Sequence, residues 1–260
     1  MHNAAFKELG IEAEYVLIEK SPKGLKGFFE HFLDEFAGCN VTIPHKEACM
    51  GYLDEVRGPA KAIGAVNTVV ADKKRLIGYN TDGIGFIRAL REDLGFEAKD
   101  KVAVVFGAGG ASRAVSFGLH SRGIREVILT DIDADKAVGL AMDLAKAGCS
   151  SMAIEHNEEV LGNLALNADL IVNATPRGMK KDDPELIPAE FLCQRIAVFD
   201  LVYNPSETPL LAAAAEKGCR HTNGLGMLLY QGAESFKLWT GRDAPIEVMK
   251  KALKESLRSL

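Results

Sequence analysis

KVAVVFGAGGASRAV, residues 101–115, decides the fold. Val102 to Phe106 is an apolar run without polar alternation, the pattern of a strand covered on both faces. Gly107, Gly109 and Gly110 break the run, and ASRAV resumes with helical spacing. A strand that enters a helix through glycines leaves bare backbone amides at the helix start, where a pyrophosphate can sit. A G-x-G alone is weak, since the chain has 25 glycines and a tight turn explains it equally well; the third small position is Ser112, not Gly. The context strengthens it. The next strand, REVILTD (125–131), ends in Asp131, 24 positions after Gly107. An acidic residue at about that distance holds the adenosine ribose of a dinucleotide.

Asp131 also bears on which dinucleotide. A carboxylate accepts both ribose hydroxyls of NAD and repels a 2′-phosphate. TDIDADKA (130–137) holds no arginine to clamp such a phosphate, and only Lys136 is near. The competing reading is that Asp131 or Asp133 caps the next helix. The expected cofactor is NAD, with NADP as the alternative.

Outward from this motif, strand-like stretches recur at EYVLIEK (14–20), CNVTIP (39–44), AVNTVVAD (65–72), ADLIVNAT (168–175) and RIAVFDLVY (195–203). Helical patterns alternate with them, as in GFFEHFLDEF (27–36), ASRAVSFGLHSRG (111–123) and KAVGLAMDLAKAG (136–148). Alternation of this kind predicts an α/β fold with mainly parallel sheets. Strands before residue 101 are more mixed than those after it, which puts a change of domain near 82–100. The tail from Leu225 is almost all helix. MHNAAFKELG opens the chain with helical spacing and runs straight into the strand pattern of EYVLIEK, so a further strand is expected ahead of Met1.

At 260 residues the chain can build two domains, each with its own core. A net charge of −5 gives no electrostatic case for nucleic acid or an anionic membrane. No apolar run approaches the ~20 residues of a membrane span, and no basic-then-apolar leader opens the chain. Cysteines 39, 49, 149, 193 and 219 are odd in number and widely spaced, with no C-x-x-C. Reduced thiols in a cytoplasmic protein fit better than a disulfide framework or a zinc site.

Two segments present polar side chains at strand ends, where α/β sites lie. NVTIPHK (40–46) offers His45 and Lys46; GYNTDGIGF (78–86) offers Asn80, Thr81 and Asp82 before a helix start. Taken singly, Lys46 reads as a solvated lysine, Asp82 as a helix cap and His45 as a structural histidine.

In order along the chain, MHNAAF, NVTIPHK, GAVNTVV, GYNTDGIGF, GAGGASRA, NATPRGM, DLVYNPSETPLL and NGLGMLLYQGAESFKLWTG resemble the shikimate dehydrogenase family from Met1 to about residue 245. The resemblance implies an enzyme that interconverts 3-dehydroshikimate and shikimate, or the quinate pair, with a nicotinamide cofactor. It implies a Rossmann-like dinucleotide-binding domain (84–223) and an α/β substrate-binding domain (1–83, completed by 224–260), with the active cleft between them. Position by position, Lys46 and Asp82 match the family's catalytic pair, while Thr42, Asn67, Tyr203 and Gln231 match its substrate contacts. Gly107, Ala108, Gly109, Gly110 and Ala111 match its phosphate loop, and Thr175, Leu201 and Gly224 match cofactor contacts. No metal is implied, and the oligomeric state is either monomer or homodimer.

Two departures stand out. NADP-using members carry an Asn-Arg-Thr-like segment where this chain has Asp131-Ile132-Asp133, which favours NAD. Members also have a strand and a Ser-x-Ser segment ahead of M-H-N, whose serines hold the substrate carboxylate; without them, NAD should bind well and shikimate poorly. The rival readings are a dehydrogenase of a related cyclic hydroxy acid and a catalytically weak ligand-sensing paralogue. The presence of Lys46, Asp82, Asn67 and Gln231 together argues for turnover.

Overall fold

Five consecutive buried residues, Val102–Phe106, lie at the centre of a six-stranded parallel sheet. The computed structural model describes residues 1–155, 157, 167–180 and 182–258. In chain order its main elements are α1 (His2–Glu8), α2 (Leu25–Glu30), α3 (Phe32–Glu35), β1 (Gly38–Asn40), β2 (Glu55–Val56) and α4 (Ala60–Ile63). Then come β3 (Thr68–Asp72), β4 (Arg75–Tyr79), α5 (Asp82–Glu92), β5 (Val102–Phe106), α6 (Gly110–Ser121), β6 (Glu126–Thr130) and α7 (Ala134–Lys146). The last are β7 (Ser151–Ala153), β8 (Leu170–Asn173), β9 (Ala197–Asp200), α8 (Pro209–Glu216), β10 (Arg220–Asn223), α9 (Leu225–Thr240) and α10 (Ile246–Arg258). Two compact units divide the chain, Met1–Gly85 with Leu228–Leu260, and Phe86–Met227.

The second unit is the doubly wound part of this α/β protein. Its strand order is β10-β9-β8-β5-β6-β7, every neighbouring pair parallel. The chain leaves β5 toward β6 and later returns on the other side as β8. This reversal makes the C-terminal end of β5 the switch point at which such sheets bind ligands. Its inner strands β5, β8 and β9 are buried along their whole length, whereas the edge strand β10 is polar and partly exposed; Val104, Phe106, Ile171, Ile196 and Val198 are fully or almost fully buried in one core.

The first unit differs from the expected parallel arrangement. Its four-stranded sheet has the order β1-β3-β4-β2, with β1/β3 and β3/β4 antiparallel and β2/β4 parallel. β3 and β4 are consecutive and joined by a two-residue turn, Lys73-Lys74, which leaves antiparallel pairing as the only option. Phe29, Phe32, Val66, Val69 and Leu76 form its core.

EYVLIEK forms no strand, although it has the alternation of one. Strand structure needs a ladder, and here the side chain of Asn3 takes both backbone groups of Tyr15, donating to its carbonyl at 3.0 Å and accepting its N–H at 2.6 Å. Leu17 beyond it is 95% exposed. The helical stretch GFFEHFLDEF is likewise split, α2 and α3 meeting at a turn on His31.

Candidate active site

The β3–β4 hairpin sets Thr68 opposite Tyr79, so the residue before β3 and the residues after β4 meet at one end. Asn67 is that first residue, and its N–H donates to the Tyr79 carbonyl at 3.0 Å. The backbone N–H of Thr81 donates to Asn67 Oδ1 at 2.8 Å. A backbone N–H can only donate, so this bond fixes which end of the amide is oxygen. Asn67 Nδ2 is then turned to Asp82 Oδ1 at 2.8 Å and Gln231 Oε1 at 3.3 Å. Asn80 holds the next turn: its Oδ1 accepts the Asp82 N–H at 3.0 Å, and its Nδ2 donates to the Ala65 carbonyl at 3.0 Å.

Asp82 is the first residue of α5, where the helix dipole favours a carboxylate. Its second oxygen, Oδ2, takes Lys46 Nζ at 2.6 Å; the side chains are 7% and 17% exposed. Lys46 is anchored from behind, its carbonyl accepting the Val66 N–H at 2.8 Å. A charge-assisted bond this short, backed by an oriented amide, holds the ammonium in one place. Asp82 takes one of its three N–H donors.

Behind this pair lies a second polar layer that sequence reasoning missed. Ser235 Oγ, on α9, lies 2.8 Å from Thr68 Oγ1, 3.2 Å from Thr81 Oγ1 and 3.0 Å from Asn40 Nδ2. Thr68 donates in turn to Asn67 Oδ1 at 2.9 Å. Only folding joins Asn40 to Ser235, 195 positions away, and neither carries a local signal. Of the expected substrate contacts, Asn67 and Gln231 join Lys46 and Asp82 in this network. Thr42 has an exposed side chain and contributes its carbonyl to the His45 N–H at 2.9 Å. Tyr203 belongs to the second unit and is 37% exposed. His45 is structural, its Nε2 donating to the Lys20 carbonyl at 2.8 Å.

In the second unit, Gly107 follows β5 with φ +99°, and a Cβ there would lie 2.9 Å from the Ala174 carbonyl oxygen, so only glycine fits. Gly109 precedes α6 as its N-cap, and a Cβ on it would meet nothing within 4 Å. The bare start of α6, with Gly110 and Ala111 in its first turn, therefore faces open space, as a phosphate cradle requires. Ser112, the apparent flaw in the motif, is buried and donates to the Gly107 carbonyl at 2.5 Å, tying the turn together.

The two readings of Asp131 separate here. Asp133 is the cap of α7, accepting the Lys136 N–H at 3.3 Å, and its carboxylate pairs with Lys136 Nζ at 3.2 Å. Asp131 instead faces the glycine turn, accepting the Ala108 N–H at 2.6 Å and the Asp133 N–H at 2.8 Å. Each carboxylate oxygen keeps a further lone pair for a ligand hydroxyl. Thr175 donates its hydroxyl to Asn173 Oδ1 at 2.7 Å just past β8. Gly224 allows the chain to pass against the Leu201 carbonyl oxygen, which any Cβ would overlap. These residues fit a dinucleotide. Among the described residues, no group of three His, Cys, Asp or Glu could hold a metal, and no helix is long and apolar enough to cross a membrane.

Comparison with known proteins decides the family. Residues 1–69 match the shikimate dehydrogenase substrate binding domain, and 224–254 match the shikimate 5′-dehydrogenase C-terminal domain. The shikimate dehydrogenase (NADP+) of Methanopyrus kandleri is 45% identical over 262 residues, 99% of this chain and 90% of that protein. The chain belongs to the shikimate dehydrogenase family. Among solved structures, a shikimate dehydrogenase in complex with NADP+ has a TM-score of 0.89 and 42% identity, covering 98% of this chain and 89% of its own. The shikimate 5-dehydrogenase of Listeria monocytogenes, in complex with shikimate and NAD, has a TM-score of 0.90 and 35% identity, covering 97% and 90%. The shikimate dehydrogenase resemblance of the sequence motifs is thus shown across nearly the whole chain, as is its two-part α/β fold.

Proposed function

We propose that this protein interconverts 3-dehydroshikimate and shikimate with a nicotinamide dinucleotide, and that it takes NAD in preference to NADP. The observation that carries the reaction is the Lys46–Asp82 pair at 2.6 Å, oriented by Asn67. Oxidation of a secondary alcohol removes a hydride from carbon and a proton from oxygen; a bound nicotinamide would supply the hydride acceptor. The chain must manage the proton. Lys46 stands at it: in the reduction direction its ammonium donates to the oxygen that gains charge, and in oxidation Lys46 and Asp82 together receive it. Asp82, held by Asn67 through its other oxygen, keeps Lys46 aimed and balances its charge. Asn67 and Gln231 hold substrate hydroxyls, and Thr42 and Tyr203 complete the substrate contacts. The first unit acts as the substrate-binding domain and the second as the dinucleotide-binding domain.

For the cofactor, Gly107 to Ala111 take the pyrophosphate at the start of α6, Asp131 takes the adenosine ribose, and Thr175, Leu201 and Gly224 line the rest. The related proteins named above carry NADP+ as well as NAD. In this chain the group at the ribose position is the Asp131 carboxylate, and the neighbouring Lys136 is paired with Asp133 rather than held for a phosphate. A 2′-phosphate would meet negative charge there. The test is reduction of NAD and of NADP by the full chain with shikimate and, separately, with quinate. A higher kcat/KM for NAD with shikimate supports the reading. No turnover with either acid would leave the ligand-sensing alternative in its place.

A further inference from the structure

Asp200 is the last residue of β9, its side chain fully buried, and among the described residues no cation pairs with it. A lone carboxylate in a protein interior is costly unless donors surround it. Here three do: Asn173 Nδ2 at 2.9 Å and the Val202 N–H at 3.0 Å on Oδ1, and Thr208 Oγ1 at 2.6 Å on Oδ2. Amide N–H groups can only donate, so the two contacts on Oδ1 are fixed as donors to it, while burial raises the pKa of the group against the pull of its three hydrogen bonds.

The placement of those donors indicates the use of the group. Asn173 is the register partner of Asp200 and ends β8 as Asp200 ends β9, both at the edge of the sheet where dinucleotides bind. Because its Nδ2 faces Asp200, Asn173 must present Oδ1 to the next turn, where it accepts both the N–H and the hydroxyl of Thr175, at 3.0 and 2.7 Å. On the other side, the bond to Val202 bends the chain directly after β9, around Leu201. The bond to Thr208 fixes a residue that caps α8 and lies against the Thr175 turn: a Cβ on Gly178 would lie 3.1 Å from the Thr208 Cβ. One carboxylate thus sets two strand-end turns, which carry Thr175 and Leu201.

We propose that Asp200 is a positioning residue for the dinucleotide, acting through Asn173 and Thr208 on the Thr175 hydroxyl and the Leu201 backbone. This rests on the dinucleotide reading above. What separates this role from packing is the expected pattern of loss: a methyl-for-hydroxyl change at Thr208 costs cofactor affinity and spares the first unit.

The test is calorimetric titration of the full chain with NAD, NADP and shikimate, for the wild type, Asp200→Asn, Thr208→Val and Thr208→Ser. Asp200→Asn should weaken the preferred dinucleotide several-fold, since its oxygen keeps the two donors on Oδ1 but its amide nitrogen faces Thr208 Oγ1, whose hydroxyl must turn from donor to acceptor and lose its own acceptor. Shikimate affinity should stay within about twofold of the wild type. Thr208→Val should weaken the dinucleotide several-fold, and Thr208→Ser, which keeps the hydroxyl, should restore it. If Asp200→Asn does not fold, the Val and Ser pair is read together with urea unfolding, because the Thr208 hydroxyl also caps α8: dinucleotide affinity lost at near wild-type stability supports the proposal, and a loss that follows stability overturns it. Unchanged dinucleotide affinity, or an equal loss of shikimate affinity, would overturn the proposal and leave the functional reading intact. A wild-type chain that binds neither dinucleotide would overturn both.

Discussion

Asn67 Nδ2 lies 2.8 Å from Asp82 Oδ1, while Asp82 Oδ2 takes Lys46 Nζ at 2.6 Å. One carboxylate is thus shared between a neutral donor that orients it and a cation that it orients. If the pair relays one proton, removing either member should lose most of what removing both loses. Lys46→Ala and Asp82→Asn are each expected to lower kcat by at least ~10²-fold, and the double variant by far less than the product. Steady-state kinetics on the three variants check this; fully multiplicative losses would mean that the two residues act separately.

Asp131→Ala removes the charge at the proposed ribose position but also a bond to the Ala108 N–H. NAD should therefore lose affinity through both effects, while NADP is relieved of repulsion. The ratio of kcat/KM for NAD over NADP is expected to fall by about tenfold or more. A ratio unchanged from the wild type would show that selectivity is set elsewhere.

Gly224→Ala places a methyl into the Leu201 carbonyl oxygen. A backbone oxygen cannot swing aside as a side chain does, so the expected destabilisation is about 2–3 kcal/mol. Urea unfolding measures it. Wild-type stability with an alanine at 224 would show that the loops separate freely there.

His2 is buried, its ring stacked on Tyr15 with centroids 4.5 Å apart and tilted against Trp239 at 5.3 Å. Burial lowers its pKa from 6.5 to about 4. Since the unfolded chain takes up the proton first, the folded state should lose stability as pH falls from 6.5 to about 4, by up to about 3 kcal/mol. Below that window both states are protonated and this loss stops. His2→Phe keeps a stacked ring and should show a shallower acid dependence in urea melts at pH 7 and 4.5; an identical slope would remove His2 as the cause.

The dinucleotide half was legible because its signals are local. Strand, glycine turn and helix follow one another within fifteen residues, and Asp131 closes the next strand. Even so, the sequence could not say whether Asp131 or Asp133 caps α7, nor that the Ser112 hydroxyl does the work of a third glycine's close packing. β4 escaped notice because its turn is Lys73-Lys74, with Lys73 at φ +58°, instead of the usual Asn-Gly or Asp-Gly. EYVLIEK misled because alternation reports a strand's faces and says nothing of its hydrogen-bonding partner. The layer behind Asp82 was invisible: Asn40, Thr68 and Ser235 are ordinary polar residues until the fold brings α9 against β3. Lys46 and Asp82 were separated from other lysines and helix-capping aspartates by the resemblance, not by any chemistry readable from spacing.

The most direct test of the central claim is the initial rate of shikimate-dependent NAD reduction by the purified full chain, set beside the same measurement on Lys46→Ala. Nicotinamide absorbance should rise with shikimate in the wild type, faster with NAD than with NADP, and fall at least ~10²-fold in the variant while NAD binding by calorimetry is unchanged. A variant that reduces NAD at the wild-type rate, or a wild type inactive with shikimate under either dinucleotide, would contradict the account.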